Sequence, residues 1–181
     1  MKAIGCSLVL LFAALATVTT LAQAPERRKL QHGTMVDSYP CAKGYAWFYA
    51  NQKLKSCTLA VEIPFGSVTV PAGSIIDLTP EGKPALVQMS RAAVLNGFHC
   101  QGGSLLGPSE GAVVAFYPDG RLRELFLSED QTIDGVPCAH GGLVSTLHGD
   151  PSVQLDPDGH LKSCRLSENY GSLLKGDRFV R

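Results

Sequence analysis

The sequence lacks most of the features that announce a membrane span, a nucleic-acid partner or a catalytic centre. Past the apolar stretch Leu8–Leu15 no window approaches the ~20 apolar residues that a transmembrane helix needs. Sixteen basic residues stand against sixteen acidic ones, so there is no excess of charge for a polyanion, and no basic stripe beyond the short run Arg27-Arg28-Lys29. Helical periodicity is missing as well; Met89 to Leu95 is the best candidate helix, and it is short. There is no G-x-S-x-G elbow, no H-E-x-x-H, no phosphate-binding G-x-x-x-x-G-K-[ST], no dinucleotide fingerprint and no C-x-x-C-H. No catalytic residue, metal or cofactor is therefore assigned, and a nucleic-acid partner is not expected.

What is present begins with an export signal. Lys2 gives a positive start, Leu8 to Leu15 is apolar, and Ala22-Gln23-Ala24 supplies small residues at the spacing a signal peptidase reads. Residues 1–24 are expected to be removed, with the cut after Ala22 or Ala24, and the mature protein to be secreted or periplasmic. Residues 25–38 read as an N-terminal tail whose three basic residues are solvated. Residues 39–181 read as a single β-repeat domain.

The repeat is explicit. Tyr49 to Ala60, Thr79 to Ser90, Tyr117 to Ser128 and Asp156 to Ser167 align without gaps. Their register residues Gln52, Gly82, Gly120 and Gly159 recur at the 30- to 39-residue intervals of stacked or arrayed architectures. Four units follow, at about 39–70, 71–99, 100–137 and 138–181. In Pro118-Asp119-Gly120 and Pro157-Asp158-Gly159, proline fixes φ, aspartate braces the turn and glycine takes positive φ. Apolar runs such as Ala112–Phe116 and Ser74–Leu78 precede the turns, and Leu54/Cys57/Leu59, Leu122/Leu125/Leu127 and Leu161/Cys164/Leu166 follow them. Cys57 and Leu59 share one strand face, which is the expected core face. Strict alternation would put Lys55 there too and turn Leu54 away, so either Lys55, Arg123 and Lys162 snorkel or a bulge shifts the register. The expected class is all-β, an antiparallel meander of tandem hairpins, either extended or curled into a barrel or sandwich.

The pattern of aromatic, Pro or Ala, Asp or Asn, Gly, basic residue, Leu resembles MORN-type and antitoxin-like tandem β-hairpin repeats over residues Cys41 to Tyr170. That resemblance implies a scaffold or binding role and brings no catalytic residue.

The mature cysteines are Cys41, Cys57, Cys100, Cys138 and Cys164. Tyr39-Pro-Cys-Ala-Lys-Gly44 matches Val136-Pro-Cys-Ala-His-Gly141, and Leu54-Lys-Ser-Cys57 matches Leu161-Lys-Ser-Cys164. The first and last units thus hold both cysteines of a pair, and the second holds neither, with Val87 at the strand position. Joint presence and joint absence point to disulfides within units, Cys41–Cys57 and Cys138–Cys164, in an exported protein. Each would contribute about 3 kcal/mol by restricting the unfolded chain. Cys100 is left as a free thiol, with Leu125 at its partner position; a bond from Cys100 to Cys57 or Cys138 is the competing arrangement.

Two function classes follow. One is an exported, non-catalytic scaffold or binding protein that meets a protein, a glycan or an envelope surface through Tyr45, Trp47, Phe48, Tyr49, Phe116 and Tyr117, those of them not consumed by the core. The other is an enzyme or metal-binding module built on His99, Cys100 and His140, since imidazole and thiolate are good metal ligands.

Overall fold

The computed structural model describes residues 24–103, 113–141, 151–167 and 179–180. Among these residues the fold is all β, with no helix. The chain opens with β1 (Glu26–Leu30). Each of the four units then supplies a short hairpin followed by a longer one. The first has β2 (Thr34–Val36), β3 (Tyr39–Cys41), β4 (Gly44–Phe48) and β5 (Leu54–Thr58), and the second β6 (Ile63–Phe65), β7 (Val68–Val70), β8 (Ile75–Leu78) and β9 (Pro84–Gln88). The third has β10 (Ala93–Leu95), β11 (Phe98–Cys100), β12 (Val113–Phe116) and β13 (Leu122–Leu125). The fourth has β14 (Gln131–Ile133), β15 (Val136–Cys138), β16 (Val153–Leu155) and β17 (Leu161–Arg165), and β18 (Phe179–Val180) comes last.

The longer hairpins join edge to edge in one antiparallel ten-stranded sheet, in the order β1-β4-β5-β8-β9-β12-β13-β16-β17-β18, while each short hairpin remains a two-stranded sheet of its own. The large sheet is an open meander with β1 and β18 at its edges rather than a closed barrel.

Turn chemistry explains the alternation. In the longer hairpins the amide of Gln52, Gly82, Gly120 or Gly159 donates to the carbonyl of Tyr49, Thr79, Tyr117 or Asp156. The register residue then takes positive φ, at +67, +83, +87 and +90°. This is a type I turn closed by a left-handed residue. The short hairpins use two-residue turns with positive φ at both central positions in Asp37-Ser38, Asn96-Gly97 and Asp134-Gly135, the mirror-image geometry whose twist matches that of the strands.

Directly after each long turn the register slips by one residue: Phe48 pairs with Leu54 but Trp47 with Ser56, Leu78 with Pro84 but Asp77 with Leu86. The third and fourth units slip in the same way. The alternation problem is therefore solved by a bulge at Lys55, Ala85, Arg123 and Lys162. One inserted residue lets Leu54 and Cys57, three apart, both enter the core, at 0 and 2 % exposure.

The core lies between the inner face of the large sheet and the short hairpins, joining Phe48, Leu54, Ile76, Val87, Phe116 and Val153 to Phe65, Val70, Leu95 and Ile133. Phe65 packs edge-on against Phe116 with ring centroids 5.3 Å apart. The short hairpins are also sewn to the sheet through the backbone. Ala42, Gln101 and Ala139 donate to the carbonyls of Thr58, Phe126 and Arg165, and Ala60, Ser128 and Ser167 donate back to Pro40, His99 and Pro137. The second unit lacks this bridge because Pro71 stands where Ala42, Gln101 and Ala139 stand, and proline has no N–H to give.

Both expected disulfides are present, Cys41–Cys57 with Cα atoms 5.8 Å apart and Cys138–Cys164 with 5.7 Å. Two other expectations are corrected. Residues 25–38 are not a tail: Glu26–Leu30 pairs along its whole length with β4, and Thr34–Val36 pairs with β3. In keeping with the missing helical periodicity, Met89 to Leu95 forms no helix: Ala93–Leu95 is one arm of a hairpin closed at Asn96-Gly97. The unit boundaries at 99/100 and 137/138 cut through β11 and β15; the structural unit starts with its short hairpin, before the cysteine rather than at it. The signal segment before Ala24 lies outside the described residues.

Candidate functional site

The six aromatic side chains divide by strand parity. In β4, Ala46 and Phe48 point inward at 0 and 6 % exposure, while Tyr45 and Trp47 point outward at 54 and 42 %. Phe116 is 3 % exposed and belongs to the core with Phe48, so neither is a contact residue. Tyr49 and Tyr117 sit at the first turn position and tie neighbouring units together. The Tyr49 hydroxyl donates to the Leu78 carbonyl at 2.6 Å and the Tyr117 hydroxyl to the Leu155 carbonyl at 2.8 Å. Partial burial, with Asp77 and Glu81 nearby, raises the pKa of Tyr49 above the usual phenol value, so the hydroxyl stays a donor. Only Tyr45 and Trp47 remain as outward-facing aromatics of the six.

Strand β1 completes this surface. Arg27 pairs in register with Trp47, and Lys29 with Tyr45. The Arg27 guanidinium lies over the Tyr45 ring, 4.5 Å from its centroid, and 5.8 Å from that of Trp47. Such stacking holds a cation in place without occupying its N–H donors. Arg28, on the opposite face, is already committed: it stacks on Phe48 at 4.6 Å, pairs with Glu26 at 2.7 Å and donates to the Gln52 side chain. That pairing raises the Arg28 pKa and lowers that of Glu26. Arg27 and Lys29 make no ion pair among the described residues. The ladder row running from Trp47 continues through Ser56, Asp77, Leu86, Ala115, Glu124, Gln154 and Ser163, so the nearest carboxylate on that row lies two strands away. The result is an exposed aromatic and cationic patch at one edge of the sheet. Sequence reasoning found its aromatics and noted the run Arg27-Arg28-Lys29, but placed it in a solvated tail; the two-residue spacing of Arg27 and Lys29 was the available signal of a strand face.

The competing constellation does not assemble. Neighbouring strand residues face opposite ways, so Cys100 enters the core at 0 % exposure while His99 turns outward to Glu129, Nδ1 to Oε1 2.5 Å. Burial pushes the Cys100 thiol up to about 12, which leaves it protonated and unreactive at neutral pH. His140 pairs with Asp130 at 2.6 Å, and its backbone amide donates to the same carboxylate at 2.9 Å, which holds the Asp130 carboxyl below the usual range. Among the described residues no group of three or more His, Cys, Asp or Glu side chains could hold a metal ion. Nor is any helix there long and apolar enough to cross a membrane.

Asp119 and Asp158 act within turns: the Arg121 side chain and amide both bind Asp119, the side chain at 2.7 Å, lowering its pKa, and Arg121 also reaches Asp158 at 3.9 Å in the next unit. The Arg121–Asp158 contact ties successive turns together.

No protein-family profile, no curated protein and no solved structure matches this chain.

Proposed function

We propose that this chain is an exported, non-catalytic β-repeat binding protein of the secreted or periplasmic space, with the surface formed by Arg27, Tyr45 and Trp47 as its contact face. The observation that carries the reading is the guanidinium stacked on two outward-facing aromatic rings, with no carboxylate paired to it among the described residues. Tyr, Trp and Arg dominate the few residues that carry most of the energy in protein interfaces. A rigid, disulfide-stapled sheet holds them in place before binding, which lowers the entropic cost of association. The two disulfides fit an oxidising compartment and the signal at residues 1–24. Of the other exposed large apolar side chains, Met35, Val61 and Val94 stand on the short hairpins or the loops flanking them, and Leu86 stands on β9 of the large sheet.

The test is site-specific photocrosslinking of the mature protein in its native extracellular or periplasmic milieu. A crosslinker at position 45 should capture a defined partner, and one at the equally exposed position 94 should not. Trp47→Ala should weaken that partner's binding at least tenfold. Equal capture from both positions, or an unchanged affinity in Trp47→Ala, refutes the reading.

A further inference from the structure

Strand β1 is the first strand of the ten-stranded sheet and is bonded on one side only, to β4. Its second edge has no strand partner among the described residues. On its outer face Arg27 and Lys29 stand two residues apart, the period at which a strand laid alongside would present its own side chains. Among the described residues both lack a carboxylate partner, and Arg27 is held on Tyr45 with no hydrogen bond from its side-chain N–H groups. Resting on the reading above, we propose that β1 accepts an eleventh strand: an extended acidic segment of a partner protein, with Asp or Glu at alternate positions, whose carboxylates lie opposite Arg27 and Lys29.

Main-chain hydrogen bonds along the free edge would supply affinity, and the cross-strand charge pairs would supply register and selectivity. The same cations argue against a second copy of this chain as occupant. Two β1 strands side by side would set Arg27 and Lys29 against their own counterparts. Next to the other edge of the sheet, β17 carries Lys162 and Arg165. A charged edge of this kind rejects like edges and selects for acid. An acidic glycan fits less well, because the Tyr45 face on which a sugar ring would stack is covered by Arg27.

The experiment titrates the mature, disulfide-intact protein with a synthetic heptapeptide of alternating Glu and Thr. Comparison ligands are its Lys counterpart, a copy N-methylated at alternate amides, and polygalacturonate. Calorimetry reads affinity and hydrogen exchange reads the β1 amides. The Glu peptide should bind and slow exchange of edge-facing amides in residues 26–30. The variant carrying Arg27→Glu and Lys29→Glu should bind it at least tenfold more weakly and should accept the Lys peptide. Strand addition is overturned if the N-methylated peptide or polygalacturonate binds as well as the Glu peptide, if exchange in β1 is unchanged, or if the double variant retains full affinity. The two readings separate cleanly. If Trp47→Ala weakens the native partner while the charge reversal does not, the contact face stands and strand addition falls; if neither matters, both fall.

Discussion

Gly66 lies against Gly120 so closely that the amide of the next residue, Ser67, donates to the Gly120 carbonyl at 2.8 Å. The short hairpin of the second unit thereby docks on the long turn of the third, a contact made by backbone alone. A Cβ on Gly66 would sit 2.3 Å from the Gly120 oxygen, and one on Gly120 would sit 2.9 Å from the Gly66 Cα. Gly82 and Gly159 occupy the same turn position as Gly120 with similar φ, yet a Cβ there would meet nothing within 4 Å. Gly159→Ala should therefore cost only the left-handed conformation, about 1–2 kcal/mol. Gly66→Ala and Gly120→Ala should add steric displacement, for about 2–4 kcal/mol in all. Urea denaturation of the three variants checks this; equal losses would show that the glycine contact carries no energy.

Cys100 is one half of a staple whose other half is leucine. The bridges Cys41 to Leu59, Cys100 to Leu127 and Cys138 to Leu166 are equivalent, and Cys57 and Cys164 each lie two residues before the bridged leucine, as Leu125 does. Leu125→Cys should therefore form a third disulfide with Cys100 on oxidation, leaving no free thiol in the mature protein. Its closure should contribute about 3 kcal/mol over the reduced form of the same variant. Thiol counting and denaturation with and without reductant decide it: a variant that gains a second free thiol instead would refute the equivalence of the units.

The buried Cys100 also predicts a pH dependence. Its folded-state pKa is raised, to about 12, above the ordinary thiol value of 9.0, so between these values the folded state holds a proton that the unfolded state gives up. Stability from this group is complete below about pH 9 and is lost as pH rises towards 12, by about 1.4 kcal/mol per unit at most. Cys100→Ala, compared with the native protein from pH 8 to 10.5 by chemical denaturation, should show the shallower decline. Parallel curves would mean that the thiol ionises as easily folded as unfolded.

The fold was largely legible because its turns are written in residue chemistry. Pro118-Asp119-Gly120 dictates local backbone geometry whatever surrounds it, and the paired gain and loss of cysteines carries the within-unit disulfides. The bulge at Lys55 was visible only as a conflict between Leu54 and Cys57, since one strand cannot reveal how its neighbour pairs. Strand β1 was missed for a related reason. Glu26-Arg27-Arg28-Lys29-Leu30 has little intrinsic strand preference, and its place in the sheet comes from pairing with β4 and from cations lying over Tyr45 and Phe48. The candidate site inherits that limit, because half of it is contributed by β1.

Gln52 is the exception among the register residues, the one side chain held at positive φ where the other three turns use glycine. Its conformation, φ +67°, is one that a Cβ makes unfavourable by about 1–2 kcal/mol. Its side chain offsets little, since its bond to Arg28 lies at an exposed site where Glu26 already engages the same guanidinium. Glycine would relieve the strain at the cost of a more flexible unfolded chain. Gln52→Gly should therefore stabilise the protein by about 0.5–1 kcal/mol, read as a raised denaturation midpoint with an unchanged slope. A loss of stability would show instead that the Gln52–Arg28 bond anchors β1 to the first long turn, and that residues 26–30 depend on it for their place in the sheet.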